Sequence, residues 1–358
     1  MKKLRWLALL LALVMVAASC GSDDDDSADD GDTEEATGDD AAADDGGDDE
    51  GDDAMEDEGD EGDDSVDLTQ GGDLTFHMIT HSDDGPFWSV VKRGMDAACE
   101  DLGVNCVWMP GVNDPGQMVS DIETAVGEGS SGIAASLPSP DQLIGPLQDA
   151  VGAGVPVITL NSGANDYQTI GALTHVGQTE FIAGQGAGER FNDAGLTHVL
   201  CGRQEQSNVG LTERCDGLKD TFSGTVTDEF VGEDADQTAQ INGIKALMEA
   251  NEDIDGFLGV GPVIAMSGLT AAQDLGRDVT VGGFDITPEL IDAIEAGDVS
   301  FTVDQQQYLQ GYLPIALLYL NVTNLNTAGG GLPILTGPGF VTTENAAEVK
   351  ALVAEGTR

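Results

Sequence analysis

The sequence predicts an α/β protein of two domains with parallel sheets. Past residue 72, short β-branched or apolar runs alternate with longer stretches of helical period, the signature of strand-helix repeats. The alternation comes in two successive series. With the first 72 residues set aside, roughly 285 of the 358 remain, enough to bury two cores of ordinary size.

The chain opens with a basic stretch, Lys2, Lys3 and Arg5, followed by an apolar run from Trp6 to Val16 that ends at Ala17-Ala18-Ser19-Cys20. The run is shorter than the ~18 to 20 residues of a membrane-spanning helix, and small residues before one cysteine suit a cleaved secretory signal. The pattern resembles the bacterial lipobox, with Ala17 where a larger aliphatic residue is commoner. It implies a signal peptide over 1–19 and lipid on Cys20; an ordinary signal peptide would leave Cys20 incidental. The next stretch, to residue 72, is almost wholly Asp, Glu, Gly, Ala and Ser, without an aromatic, Lys or Arg residue. It has too little apolar surface to offset chain entropy, and its like charges repel, so 20–72 reads as an extended linker. Its relaxed reach is about 40 Å. Calcium binding is the rival use of such carboxylates, but no EF-hand register is present.

The first series then begins. Leu74 to Ile79 reads as a strand, and Phe87 to Leu102 as an amphipathic helix with Trp88, Val91, Met95 and Ala98 on one face. Further strands are expected at Asn105 to Met109, Gly132 to Ser136 and Val157 to Leu160. Helices lie near Gln117 to Val126 and Pro140 to Ala153, the second opened by Ser139 as a cap and Pro140 at its first position. This makes four strand-helix repeats.

The second series starts with a helix near Glu180 to Asp193. Its strands are Thr197 to Cys201, Thr225 to Phe230, Gly256 to Val260 and Val279 to Phe284, with helices between them. A strand at Ser300 to Val303 leads into an apolar helix from Tyr308 to about Leu320 that returns to the first domain. Gly311 and Pro314 interrupt it too much for a membrane span. The run Gly184-Gln185-Gly186-Ala187-Gly188 lies inside a helix and not just after a strand, so close helix packing explains it better than a phosphate cradle.

Charge and cysteines narrow the class. The formal net charge is -53, and acidity persists beyond the linker, which argues against nucleic acid or an anionic membrane surface as partner. Beyond Cys20 the cysteines are Cys99, Cys106, Cys201 and Cys215, and export makes disulfides chemically reasonable. Of three possible pairings the economical one is Cys99 with Cys106 and Cys201 with Cys215. No Cys-x-x-Cys occurs, so no metal site is expected, and no cofactor.

An ordered set of motifs identifies the relatives. Pro86-Phe87-Trp88, Val155-Pro156-Val157-Ile158-Thr159-Leu160-Asn161, Arg214-Cys215-Asp216-Gly217, Gly283-Phe284-Asp285, and Thr302-Val303-Asp304-Gln305 leading to Gln310-Gly311-Tyr312 occur in that sequence. From about residue 73 to its end the chain resembles the sugar-binding family of type I periplasmic substrate-binding proteins, the relatives of ribose-binding protein. The resemblance implies two Rossmann-like lobes joined by a three-strand hinge and closing on ligand. It divides the chain into an N-terminal lobe of 73–176 plus 305–335 and a C-terminal lobe of 177–304 plus 336–358.

The chemistry of those positions agrees. In open parallel sheets ligands sit beyond the carboxyl ends of strands. A polyhydroxylated ligand needs paired donors and acceptors for its hydroxyls and an aromatic face for its C–H surface. Asp285, Asn161 and Gln305 fit the first role; Phe87 or Trp88, not necessarily both, fits the second. His81 is either a hydroxyl partner or an exposed loop residue. Arg214 and Asn208 are further contacts, although the first suits a structural role and the second a helix cap. Asp285 is freed from capping duty because Thr287-Pro288-Glu289 supplies a cap of its own.

Departures from ribose binders change the hydrogen-bond code. Gly85 stands where they carry Asn, Asn161 where they carry Asp, Gly261 where they carry Asn, and alignment on Glu213-Arg214 puts their pocket arginine at Thr212. Ribose itself is thereby disfavoured, since an unpaired buried hydroxyl costs ~1 to 3 kcal/mol. The expected function is capture of a sugar or sugar-like polyol by a monomeric lipoprotein on the outer face of the cell membrane, for delivery to the permease of an ABC transporter. A ligand-presenting sensor is the alternative. An enzyme is not expected, because neither Gly-x-Ser-x-Gly nor His-Glu-x-x-His occurs. A DNA-binding repressor of this fold would need a helix-turn-helix where the export signal and acidic linker lie.

Overall fold

The computed structural model describes residues 71–83 and 85–358; the expected signal peptide, Cys20 and most of the acidic linker lie outside them. Among the described residues no helix is long and apolar enough to cross a membrane.

In chain order the first series is β1 (Thr75–Thr80), α1 (Gly85–Leu102), β2 (Asn105–Pro110), α2 (Pro115–Gly127), β3 (Gly132–Ser136), α3 (Pro140–Gly152), β4 (Val157–Leu160), α4 (Tyr167–Ile170) and β5 (His175–Gly177). The second is α5 (Glu180–Asp193), β6 (His198–Arg203), α6 (Val209–Thr221), β7 (Thr225–Phe230), α7 (Gln237–Ala250), β8 (Gly256–Gly259), α8 (Pro262–Leu275), β9 (Thr280–Phe284), α9 (Pro288–Ala296) and β10 (Phe301–Asp304). Then come α10 (Gln307–Asn324), β11 (Ile334–Leu335), β12 (Gly339–Val341) and α11 (Ala346–Glu355). The strands form two sheets, ordered β11-β5-β4-β3-β1-β2 and β12-β10-β9-β8-β6-β7. Every pairing is parallel except β10 with β12.

The interior strands are buried on both faces, as parallel sheets covered by helices require: β3, β4, β5 and β8 expose no residue. Each sheet separates two apolar clusters. In the first lobe, Phe76, Trp88, Val91 and Ile315 lie on one side, and Ile79, Met118, Ile133 and Leu143 on the other. The second lobe repeats this with Phe257, Ile264 and Leu290 against Phe191, Phe284 and Phe301.

Both lobes use one device to bring two helices close. Gly94 of α1 lies against the Tyr308 carbonyl of α10, and Gly311 of α10 against the Val91 carbonyl of α1. In the second lobe Gly184 of α5 meets the Arg214 carbonyl of α6, and Gly217 of α6 meets the Phe181 carbonyl of α5. The helix packing expected for the Gly184 run is therefore present. Gly311 and Pro314, read from sequence as interruptions, sit inside one continuous helix, where Gly311 is the contact with α1.

The chain crosses between sheets three times: between β5 and α5 at Gln178 and Thr179, between β10 and α10 at Gln305 and Gln306, and between β11 and β12 at Thr336, Gly337 and Pro338. The three segments lie together. Thr336 N–H donates to the Gly177 carbonyl at 2.7 Å, and Gln306 Nε2 donates to the Thr336 carbonyl at 2.7 Å. Disulfides join Cys99 to Cys106 and Cys201 to Cys215, the economical pairing. Ser139 stands at the N-cap of α3 with Pro140 behind it, but its hydroxyl makes no capping bond.

A methyl group at residue 311 would overlap the Val91 carbonyl, so Gly311→Ala should destabilise the fold by about 1–3 kcal/mol in urea unfolding. Gly127→Ala, at an exposed helical position with nothing within 4 Å, is the control and should gain up to about 1 kcal/mol. Equal effects at the two sites would contradict the packing argument.

Candidate ligand-binding site

A cavity of about 1140 Å³ opens between the lobes where the carboxyl ends of their strands converge. The structure brings all eight expected contacts to its wall: His81, Phe87, Trp88, Asn161, Asn208, Arg214, Asp285 and Gln305.

The floor is polar and deeply set. Asn161 directly follows β4 and Asp285 directly follows β9; both are buried, and both adopt positive φ, 61° and 65°. Asn and Asp tolerate this region better than other non-glycine residues, and such strain collects at functional sites. Val112 and Asn113, also on the cavity wall, share the left-handed backbone. Asp285 has no capping role: Thr287 Oγ1 accepts from Leu290 N–H at the start of α9. Instead Asp285 Oδ1 accepts from Gln305 Nε2 at 2.6 Å, and Oδ2 lies 3.8 Å from Arg214 Nη1.

Arg214 sits on α6, whose N-terminus faces the cleft. Its Nε and Nη2 donate to Glu180 at 2.6 and 3.1 Å, and its Nη1 donates to the Val260 carbonyl at 2.7 Å. It also lies over the Phe284 ring, 4.5 Å from the centroid. Burial works against its charge, but Glu180 and Asp285 more than offset that and hold its pKa above the ordinary value. The position to which the resemblance assigned the pocket arginine, Thr212, is not on the cavity wall; the arginine that reaches it is Arg214.

The first lobe supplies an aromatic wall. Trp88 packs edge-on against His81 and Phe87, with centroids 4.8 and 5.0 Å apart. His81 is 4 % exposed, which rules out the exposed-loop alternative. Its Nδ1 lies 2.9 Å from Ser136 Oγ, and its Nε2 takes a hydrogen bond from Asn208 Nδ2 at 3.3 Å. Burial depresses its pKa, with Glu205 opposing and Arg214 adding to the fall, so the ring is neutral at neutral pH. Asn208 does two jobs: its Oδ1 caps α6 by accepting from Gly210 N–H, and its amide crosses the cleft to His81. Ser162 Oγ donates to the same Oδ1 from the first lobe at 3.1 Å.

Several wall residues were not anticipated. Gln204 and Glu205 follow β6, and Asp234 lies in the turn after β7; the strand-end rule that found Asp285 applies equally to them. A side chain at Gly261 would collide with the Gln204 amide, so the departure from Asn at 261 makes room for Gln204. Glu180, which holds Arg214, carried no sequence signal of its own.

Burial pushes the Asp285 carboxyl up to about 6, with Arg214 and Gln305 opposing, and burial likewise pushes Asp234 up to about 6. A carboxyl whose folded pKa lies above its unfolded value of ~3.9 contributes stability that is complete below pH ~4 and lost as pH rises to ~6. Asp285→Asn removes that dependence. The stability of the variant relative to the parent should therefore fall as pH is lowered from 7 to 4 in ligand-free denaturation series; a relative stability that rises would contradict the assignment.

The sequence profile described as a periplasmic binding protein domain matches residues 76–325. The xylose/arabinose-binding protein XylF of Sulfolobus acidocaldarius is 30% identical over 290 residues, which cover 75% of this chain and 71% of the relative. A ribose import binding protein of Haemophilus influenzae is 24% identical over 248 residues, covering 67% of this chain and 83% of its own. Among solved structures, a carbohydrate transporter from Acidothermus cellulolyticus in complex with myo-inositol is 36% identical with a TM-score of 0.77, covering 80% of this chain and 99% of that one.

Proposed function

This chain belongs to the periplasmic binding protein family, and from that premise we propose that it captures a sugar or cyclic polyol in the interlobe cleft and delivers it to an ABC importer. The observation that carries the reading is the buried Asp285 carboxylate, held by Gln305 on a polar floor and faced by the Phe87 and Trp88 wall. Such a floor pairs with vicinal hydroxyls, and such a wall with the C–H surface of a ring. The relatives favour a pentose such as xylose or arabinose, or a cyclitol such as myo-inositol. Asn161 in place of Asp, and Gly85 and Gly261 in place of Asn, weigh against ribose.

In this reading Asp285, Asn161 and Gln305 bind hydroxyls, and a ligand hydroxyl reaches Asn208 or neutral His81 by replacing the bond between them. Trp88 or Phe87 covers the ring. Arg214 donates to an oxygen near Asp285 while Glu180 holds it in place. Nothing covalent is required, and the cycle is capture, lobe closure and release. A signal peptide over 1–19, lipid on Cys20 and an acidic tether over 20–72 would hold a monomeric binding protein outside the cell membrane, within reach of its permease.

Thermal-shift screening against xylose, arabinose, ribose, myo-inositol, amino acids and nucleosides tests the reading. A ligand at a hundred times its Kd stabilises the native state by ~2.7 kcal/mol. We expect a sugar or cyclitol to raise the midpoint; a response confined to amino acids would contradict the proposal. Asp285→Ala should weaken binding about a hundredfold, from ~3 kcal/mol of lost charge-assisted hydrogen bonding, and leave the fold intact.

A further inference from the structure

Charge inside the cleft is one-sided. Its wall carries the carboxylates Glu205, Glu233, Asp234 and Asp285, and among the described residues Arg214 is its only lysine or arginine. That guanidinium is already matched by Glu180, which is 1% exposed and bonds it through two nitrogens. The histidine on the wall, His81, is neutral. An anionic ligand would thus meet several carboxylates and no uncommitted cation, in a cleft where desolvation strengthens the repulsion.

Besides Asp285 on the floor, the acidic groups Glu205, Glu233 and Asp234 follow the strands β6 and β7 of the second lobe. Glu205 Oε2 accepts from Asn208 Nδ2 at 2.9 Å and lies 3.8 Å from His81 Nε2. Asp234 Oδ1 accepts from Gln240 Nε2 at 3.0 Å, and the nearby charge of Glu205 acts on it. Beside them Gln204 lines the same cavity, is only 9% exposed, and has an amide oxygen with no hydrogen-bond partner. A buried acceptor left unpaired is costly, and its natural complement is a ligand donor. One amide acceptor and two carboxylates match a protonated amine, which has donors and no acceptor.

Resting on the polyol reading above, we infer that the ligand carries no negative charge, and that Gln204, Glu205 and Asp234 form a subsite for a protonated amine on a hydroxylated ring. The floor then reads hydroxyls while the second-lobe wall reads charge. Neutral polyols bind through the floor alone; amino sugars and aminocyclitols use both; sugar acids and sugar phosphates are rejected.

Calorimetric titration of the purified protein with charge-matched probes tests this. The probes are myo-inositol, an amino-deoxy inositol, glucosamine, glucuronate and inositol monophosphate, each at low and at high salt. The expected result is that the amine binds about tenfold tighter than its neutral counterpart at low salt. That advantage shrinks at high salt, and no binding is seen for the acid or the phosphate. In the Glu205→Gln, Asp234→Asn double variant the ratio of amine to neutral affinity falls about tenfold, a ratio that general loss of the site does not change. An acid or phosphate that binds as well as the neutral probe overturns the inference, as does an amine that binds more weakly, and in both cases the polyol reading survives. Failure of every probe alongside failure of xylose and arabinose overturns the polyol reading and the subsite with it.

Discussion

The cleft depends on one buried polar chain that begins in the hinge and returns to it. Gln178, in the first crossover, donates through Nε2 to Glu180 at 2.8 Å; Glu180 holds Arg214; Arg214 faces Asp285; and Asp285 accepts from Gln305 in the second crossover. From there Gln310 Nε2 donates to Gln305 Oε1 at 2.8 Å and to Thr336 Oγ1, in the third crossover, at 3.2 Å. Asn161 of the first lobe joins through its amide, 3.5 Å from Gln305 Oε1 and 3.4 Å from Gln310 Oε1. A buried charge is tolerable only when paired, so Arg214, Glu180 and Asp285 constrain one another, and the amides fix their geometry. The groups proposed to face the ligand are thereby hydrogen-bonded to the segments that link the lobes.

The rest of the fold makes that chain possible. Parallel strands covered on both faces bring Asn161, Gln204, Asp285 and Gln305 out at their carboxyl ends. The reciprocal glycine contacts bind α1 closely to α10 and α5 closely to α6. The helix from the second crossover returns to the first lobe, and the last strand pairs antiparallel with β10 in the second. The lobes are thus joined only by short segments, the arrangement that hinge closure around a ligand requires. Asn208 already bonds His81 and Ser162 of the first lobe, so contacts between the lobes exist beyond the floor as well.

Much of this was legible in the sequence where local rules suffice. Asp285 could be placed because it follows a strand and because Thr287 is a better cap. Asn161 follows from the same strand-end rule. The β5, β11 and β12 strands escaped because two or three residues are too few to display a period. Arg214 was visible but its role was not: Glu180 lies 34 residues away on a neighbouring helix, and no spacing links them. His81 could not be distinguished from a loop residue until Ser136, 55 residues on, was found to bond both its backbone and its ring. Gln204 follows a strand end as Asp285 does, but the room for its side chain comes from a glycine at 261 whose only message in sequence was the loss of an Asn.

Small-angle X-ray scattering with and without saturating ligand tests the central claim, that a polyol on this floor is coupled to the hinge. The account predicts that the radius of gyration falls when a bound sugar or cyclitol is added and recovers when it is dialysed away. An unchanged radius under conditions where calorimetry shows full occupancy would contradict it.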